Sequence, residues 1–167
     1  MRVALAIVLP LAAALLQGTV VPSMTVADAR PNLVTLVAAS WAVAAGPREA
    51  VWWAFLGGLG ADLLSGGPLG ALALAGLLPV ALAGRGDQQL RPRSVLAGAL
   101  VVALASAATS VLYYVILAIV GASLPDAGRL LALTISAAAY NGVLAIATYP
   151  LCRALHRSTE KQASFGW

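Results

Sequence analysis

The sequence predicts an all-α polytopic integral membrane protein, a compact bundle of about six transmembrane helices. Three observations predict it. The chain is 61% hydrophobic and only 10% charged, with a mean hydropathy of +0.92. A soluble domain runs at about 45–50% apolar and about 25% charged, so too little polar surface exists here to cover a globule in water. The apolar residues also fall in runs of near-span length, and 167 residues accommodate roughly five or six spans of ~20 residues plus loops. Finally, Lys and Arg concentrate in alternate loops, the charge asymmetry of a chain threaded repeatedly through a bilayer.

Segment 3–21 is apolar almost without interruption, and at 1.5 Å per residue it matches the hydrocarbon core. Arg2 before it and Ala27-Asp28-Ala29 after it also resemble a cleaved leader. The run is longer than the usual ~7–15 residues of a leader core, so a retained first helix is expected. A loop with Asp28 and Arg30 leads to 33–46, a short alanine-rich helix ended by Gly46-Pro47-Arg48-Glu49. Pro47 suits the first turn of the next helix, where its missing N–H costs nothing. That third helix, 47–64, begins with Trp52 and Trp53 and ends in a glycine-rich run. The fourth, 69–84, follows Ser65-Gly66-Gly67-Pro68 and is expected to kink at Pro79. The second and fourth helices are short for a span, so they are expected to cross a thinned bilayer or lie partly inside the bundle. After a polar loop from Arg85 to Arg93, segment 95–121 exceeds a span and must tilt or project. The sixth helix, 130–151, completes one transmembrane domain of residues 1–152, and 153–167 form a basic tail.

Threading six spans puts Arg2, Arg48, Arg85, Arg91, Arg93, Arg153, Arg157 and Lys161 on one side and only Arg30 and Arg129 on the other. Positive charge accumulates in the cytoplasm, so both termini are expected there. Trp52 and Trp53 fall at the same end, where indole rings favour the headgroup zone. The net charge of +4 is thereby explained by topology without nucleic acid. Cys152 is the lone cysteine, which excludes an intrachain disulfide, and it is expected to be a packing residue. His156, among Arg153, Arg157 and Lys161, is expected to be a solvated tail residue.

The chain is expected to be organised around Gly57-Gly58-Leu59-Gly60-Ala61-Asp62-Leu63-Leu64-Ser65-Gly66-Gly67-Pro68-Leu69-Gly70. Gly and Pro break the helix between two apolar segments, so a tight helical hairpin forms, with Gly57 and Gly58 on a close contact face. Asp62 is the one charged residue well inside an apolar run. Near the end of its helix it opposes the macrodipole. Compensation is expected from the free N–H groups at the start of the fourth helix, around Leu69 and Gly70. Asp62, with Ser65, would then pin the third helix to the fourth. Gln17 and Tyr140-Asn141 are the other strongly polar midspan groups, suited to hydrogen bonds between helices. No His/Cys cluster, second carboxylate or phosphate loop accompanies Asp62, so neither an enzyme, a metal site nor a cofactor is expected.

Around 57–72 the sequence resembles the MreD family of bacterial rod shape-determining membrane proteins. Its most recognisable stretch is similar to 60–72, and Asp62, Ser65, Gly66, Pro68, Leu69 and Gly70 match position by position. The resemblance implies a non-enzymatic scaffold of the cell-wall elongation machinery in the bacterial inner membrane. It implies an MreC partner and, through it, MreB and the RodA and penicillin-binding-protein synthases that make peptidoglycan. The alternative is a vitamin-binding membrane subunit of an energy-coupling-factor transporter, of the same size and topology. Such a subunit would need an outward-facing polar pocket, for which the chain offers Gln17, Thr109, Ser110, Tyr113, Tyr114, Tyr140 and Asn141.

Overall fold

A computed structural model describes residues 2–21, 30–85 and 94–164. Ala27-Asp28-Ala29, Arg91 and Arg93 lie outside the described residues. Six helices follow in chain order: α1 (Arg2–Thr19), α2 (Leu33–Ala45), α3 (Pro47–Ser65), α4 (Ala71–Ala83), α5 (Val95–Ile119) and α6 (Ala127–Ser164). No strand occurs among the described residues.

Local chemistry sets the boundaries. The Asn32 side chain accepts from the Thr35 N–H and starts α2, and Ser94 does the same for α5 through Ala97, each satisfying one N–H that has no helical partner. Pro47 occupies the first turn of α3. Gly66 at φ 69° and Gly70 at φ 86° bracket the turn from α3 to α4 in left-handed backbone, which only glycine adopts at no cost. Consequently α4 begins at Ala71 and not at 69. The largest departure from expectation is α6, which starts at Ala127 and runs through the basic tail to Ser164. Residues 152–164 contain neither Gly nor Pro, and Arg, Leu, Glu, Lys, Gln and Ala are all good helix formers, so nothing stops the helix at 151.

The helices alternate in direction. Gly84 at the end of α4 lies against Pro47 at the start of α3, while Gln17 near the end of α1 bonds the first residue of α2. One end of the bundle, the hairpin end, therefore gathers the α3–α4 turn and the starts of α2 and α4. The opposite end, the basic end, carries Arg48, Arg153 and Arg157.

The centre belongs to α2, which contacts each of the other five helices and buries ten of its thirteen residues. This corrects the expectation that the glycine hairpin is the organising element. A helix apolar on all sides with only Thr35, Ser40 and Trp41 as polar interruptions is a buried helix, and α2 needs no full-span length because it lies inside the others. Trp41 of α2 stacks on Trp53 of α3 at a centroid separation of 4.4 Å and donates to Glu49 at 3.2 Å. Trp53 is thus 1% exposed and belongs to the core, so it cannot take the headgroup role expected of both, and of the pair only Trp52, 63% exposed, lies on the surface. Consecutive helical residues point about 100° apart, so the pair could not share one environment. His156 packs edge-on against Trp41, so it is not the solvated tail residue expected, because α6 carries it back over α2. Cys152 is buried in the same core.

The outside of the bundle is apolar. Leu11, Leu15, Leu74, Leu78, Leu100, Leu104, Ile119, Leu131, Ile135, Val143 and Ile146 are all exposed, a shell that water would not tolerate over so many faces. Two helices contain stretches long and apolar enough to cross a membrane, Val95–Ile119 and Ala127–Thr159, and Ala6–Thr19, Leu33–Ala45 and Ala71–Ala83 are shorter apolar helices. Pro10, Pro79 and Pro150 lie inside α1, α4 and α6, as membrane helices permit when neighbours satisfy the freed backbone groups.

Candidate functional site: a capped helical hairpin beside a polar cavity

Ala54, Gly58 and Asp62 recur every fourth residue along one face of α3, and that face meets α4. Ala54 sits opposite Gly76, where a methyl on the glycine would approach it to 3.6 Å. Gly58 is tighter, since a Cβ there would stand 2.5 Å from the Ala73 Cα and 2.7 Å from its nitrogen. The two backbones touch at this point. Gly57, on the adjacent face, performs the same service for α1 and α2, with Val34 Cγ1 at 2.9 Å and the Pro10 carbonyl at 3.2 Å from a Cβ.

One turn beyond Gly58, the Asp62 carboxylate reaches the start of α4. Its Oδ2 accepts from the Leu72 N–H at 3.0 Å and the Ala73 N–H at 3.4 Å, and Oδ1 lies 3.2 Å from the Leu72 nitrogen. These are the second and third N–H groups of α4, the pair that an N-cap side chain ordinarily satisfies. The N-cap here is Gly70, which has no side chain, so Asp62 supplies the missing cap from another helix. The closest donors are Leu72 and Ala73, and the Gly70 N–H, one of the two expected, is also directed at the carboxylate; the left-handed Gly70 delays the helix start by two residues. Ala71 and Leu74 complete the end through the Pro68 and Gly70 carbonyls. A carboxylate 3% exposed thereby faces the positive pole of α4, which offsets its unfavourable position at the negative pole of α3.

Ser65 serves the turn itself. Its hydroxyl donates to the Asp62 carbonyl at 3.1 Å and accepts from the Gly67 N–H at 3.3 Å, so it closes α3 but does not bridge to α4. Leu69 projects outward, as do Leu63 and Leu64.

A second polar clamp holds the start of α2. Gln17 of α1 accepts from Leu33 N–H at 2.6 Å and donates to the Pro31 carbonyl at 3.2 Å. Asn141 of α6 accepts from the Asn32 N–H at 3.1 Å, donates to the Asn32 carbonyl at 3.1 Å and to Ser106 of α5 at 2.7 Å. Four helices and the approach to α2 are thus joined through two amide side chains. Asn32 was not among the expected site residues, although Pro-Asn before an apolar run is an N-cap signal. Asn141→Ala is expected to lower stability by about 1–2 kcal/mol, near the upper limit for such bonds between membrane helices, read as a lowered midpoint of thermal unfolding in micelles.

Between the clamps lies a cavity of about 330 Å³ at the hairpin end. The starts of α2 and α4 contribute Asn32 and Leu72, the ends of α1 and α3 contribute Gln17, Asp62 and Ser65, and α5 contributes Thr109, Ser110, Tyr113 and Tyr114, with Arg30 also on its wall. Five of the seven polar residues considered for a pocket converge on it. Tyr140 and Asn141 do not line it, and Asn141 is engaged in the clamp. Among the described residues no group of three or more His, Cys, Asp or Glu side chains is placed to hold a metal ion.

The description rod shape-determining protein MreD matches residues 1–159. No curated protein and no solved structure matches the chain. The match spans nearly the whole chain, including the capped hairpin, α1 to α5 and α6 as far as Thr159. The chain belongs to the MreD family, rod shape-determining proteins of the bacterial membrane.

Proposed function

We propose that the protein is a non-enzymatic scaffold of the cell-wall elongation machinery, spanning the inner membrane six times with both termini in the cytoplasm. The observation that carries this reading is the use to which Asp62 is put: its oxygens are bonded to backbone N–H groups, so the one buried acid among the described residues builds a rigid hairpin. The eight-to-two division of cations between the two sides supports the orientation. Exposed Leu63, Leu64 and Leu69 surround the hairpin tip and offer an apolar contact for a single-span, coiled-coil partner of the MreC type. Through that partner the scaffold would reach MreB and the RodA and penicillin-binding-protein synthases of peptidoglycan.

The test is a pull-down from native membranes under mild detergent. The expected principal partner is an MreC-like single-span protein, and Leu63→Ser with Leu69→Ser is expected to reduce its recovery while the helical content is unchanged. Recovery of an ATPase as the main partner, or purification with a bound vitamin, would overturn the scaffold reading in favour of a transporter subunit. The polar cavity is the observation favouring that second reading, since Gln17, Thr109, Ser110, Tyr113 and Tyr114 line it together.

A further inference from the structure

Polar side chains inside an apolar bundle are costly unless they are satisfied. Most of those in this protein are satisfied by the bundle itself. Gln17, Asn141 and Asp62 are engaged with backbone at the starts of α2 and α4. The cavity wall is different, because the hydroxyls of Tyr113 and Tyr114 have no hydrogen-bond partner among the described residues. Thr109 and Ser110 each donate to a carbonyl one turn back, which leaves their oxygens able to accept.

The wall carries both signs of charge. Asp62 contributes a carboxylate, and Tyr113 lies within its electrostatic reach, with its hydroxyl beside the hairpin turn, 3.9 Å from where a Gly67 Cβ would stand. A carboxylate beside Tyr113, on a wall that also carries Tyr114 with its ring 6.1 Å from that of Tyr113, is the chemistry that receives an ammonium group. Arg30 contributes a guanidinium, suited to a carboxylate or phosphate. A simple anion would enter against Asp62, and a simple cation would enter against Arg30. An apolar molecule would leave the tyrosine hydroxyls without partners. A molecule carrying both charges meets neither objection.

We propose that this cavity binds a small zwitterion, with its ammonium group toward Asp62, Tyr113 and Tyr114 and its anionic group at Arg30. The proposal is independent of the scaffold reading, because it concerns the cavity and not the partner surface. The same chemistry is presented by a free zwitterion and by the headgroup of an ethanolamine phospholipid.

The experiment uses the full chain purified in detergent free of phospholipid and titrated with O-phosphoethanolamine by calorimetry. In a second arm, nanodiscs of phosphatidylglycerol with and without phosphatidylethanolamine are compared by native mass spectrometry for retained lipid. Saturable binding in either arm is expected, and the arm that binds identifies the source. Arg30→Gln and the pair Tyr113→Phe with Tyr114→Phe are each expected to weaken it at least about tenfold, the equivalent of ~1.4 kcal/mol. None of these residues supplies a hydrogen bond between helices, so thermal unfolding of the variants should match the parent. Should either variant lose its fold, the other decides. Binding in neither arm, or equal binding by a folded variant and the parent, overturns the proposal.

Discussion

Gly58→Ala is expected to be the most damaging glycine-to-alanine change in α3. On intrinsic propensity alone, alanine should favour the helix by about 1 kcal/mol. The added methyl, however, would stand 2.5 Å from the Ala73 Cα and 2.7 Å from its nitrogen, and backbone atoms cannot rotate out of the way. The two helices must separate, and the cost of such overpacking is about 1–3 kcal/mol or more. Separation also draws Asp62, one turn further along the same face, away from Leu72 and Ala73. Gly57→Ala should be milder, because the closest atom is a valine methyl at 2.9 Å that can move, although the Pro10 carbonyl at 3.2 Å cannot. Gly60→Ala meets the Ala14 methyl at 3.1 Å and should be mildest, with the gain in propensity offsetting much of the crowding. Thermal unfolding in micelles should therefore rank the variants Gly58 lowest, then Gly57, then Gly60. Equal midpoints for Gly58→Ala and Gly60→Ala would show that α3 and α4 do not touch.

The features legible in the sequence are those determined locally. Helix starts at Pro47 and after Ser94, the break at Ser65 to Pro68 and the small-residue face of α3 follow from glycine, proline and spacing. The hairpin motif carried the family resemblance as well, because its residues answer to a single local geometry. What the chain did not reveal is which surfaces meet across long sequence distances. The central place of α2 depends on five neighbours, and its alanines and valines resemble those of lipid-facing segments, since a membrane helix is apolar on both its buried and its exposed sides. Trp52 and Trp53 illustrate the difficulty, because adjacent indoles ended in exposed and core positions. Asn32 and Asn141 are 109 positions apart, and no periodicity links an asparagine in a loop to one in the last helix. The cavity was foreseeable only as an inventory of polar residues, since convergence of α1, α3 and α5 at one end is a property of the packing.

Asp62→Ala is expected to destabilise the protein by about 2–4 kcal/mol, from two buried N–H groups left without acceptors at about 1–3 kcal/mol each, with partial relief from fraying at the start of α4. Asp62→Asn separates two roles that the aspartate combines. Its amide oxygen can still accept from Leu72 and Ala73, and asparagine is as good an N-cap as aspartate, so a purely structural role predicts a loss of only about 1 kcal/mol or less. Protease resistance of the α3–α4 turn and the thermal midpoint should both fall for the alanine variant and change little for the asparagine one. If alanine is tolerated as well as asparagine, Asp62 does not cap α4. If asparagine folds like the parent yet loses zwitterion binding, the negative charge serves the cavity while the oxygen serves the cap. That outcome would assign one side chain to both the rigidity of the hairpin and the occupancy of the space beside it, because α4 begins where the cavity does.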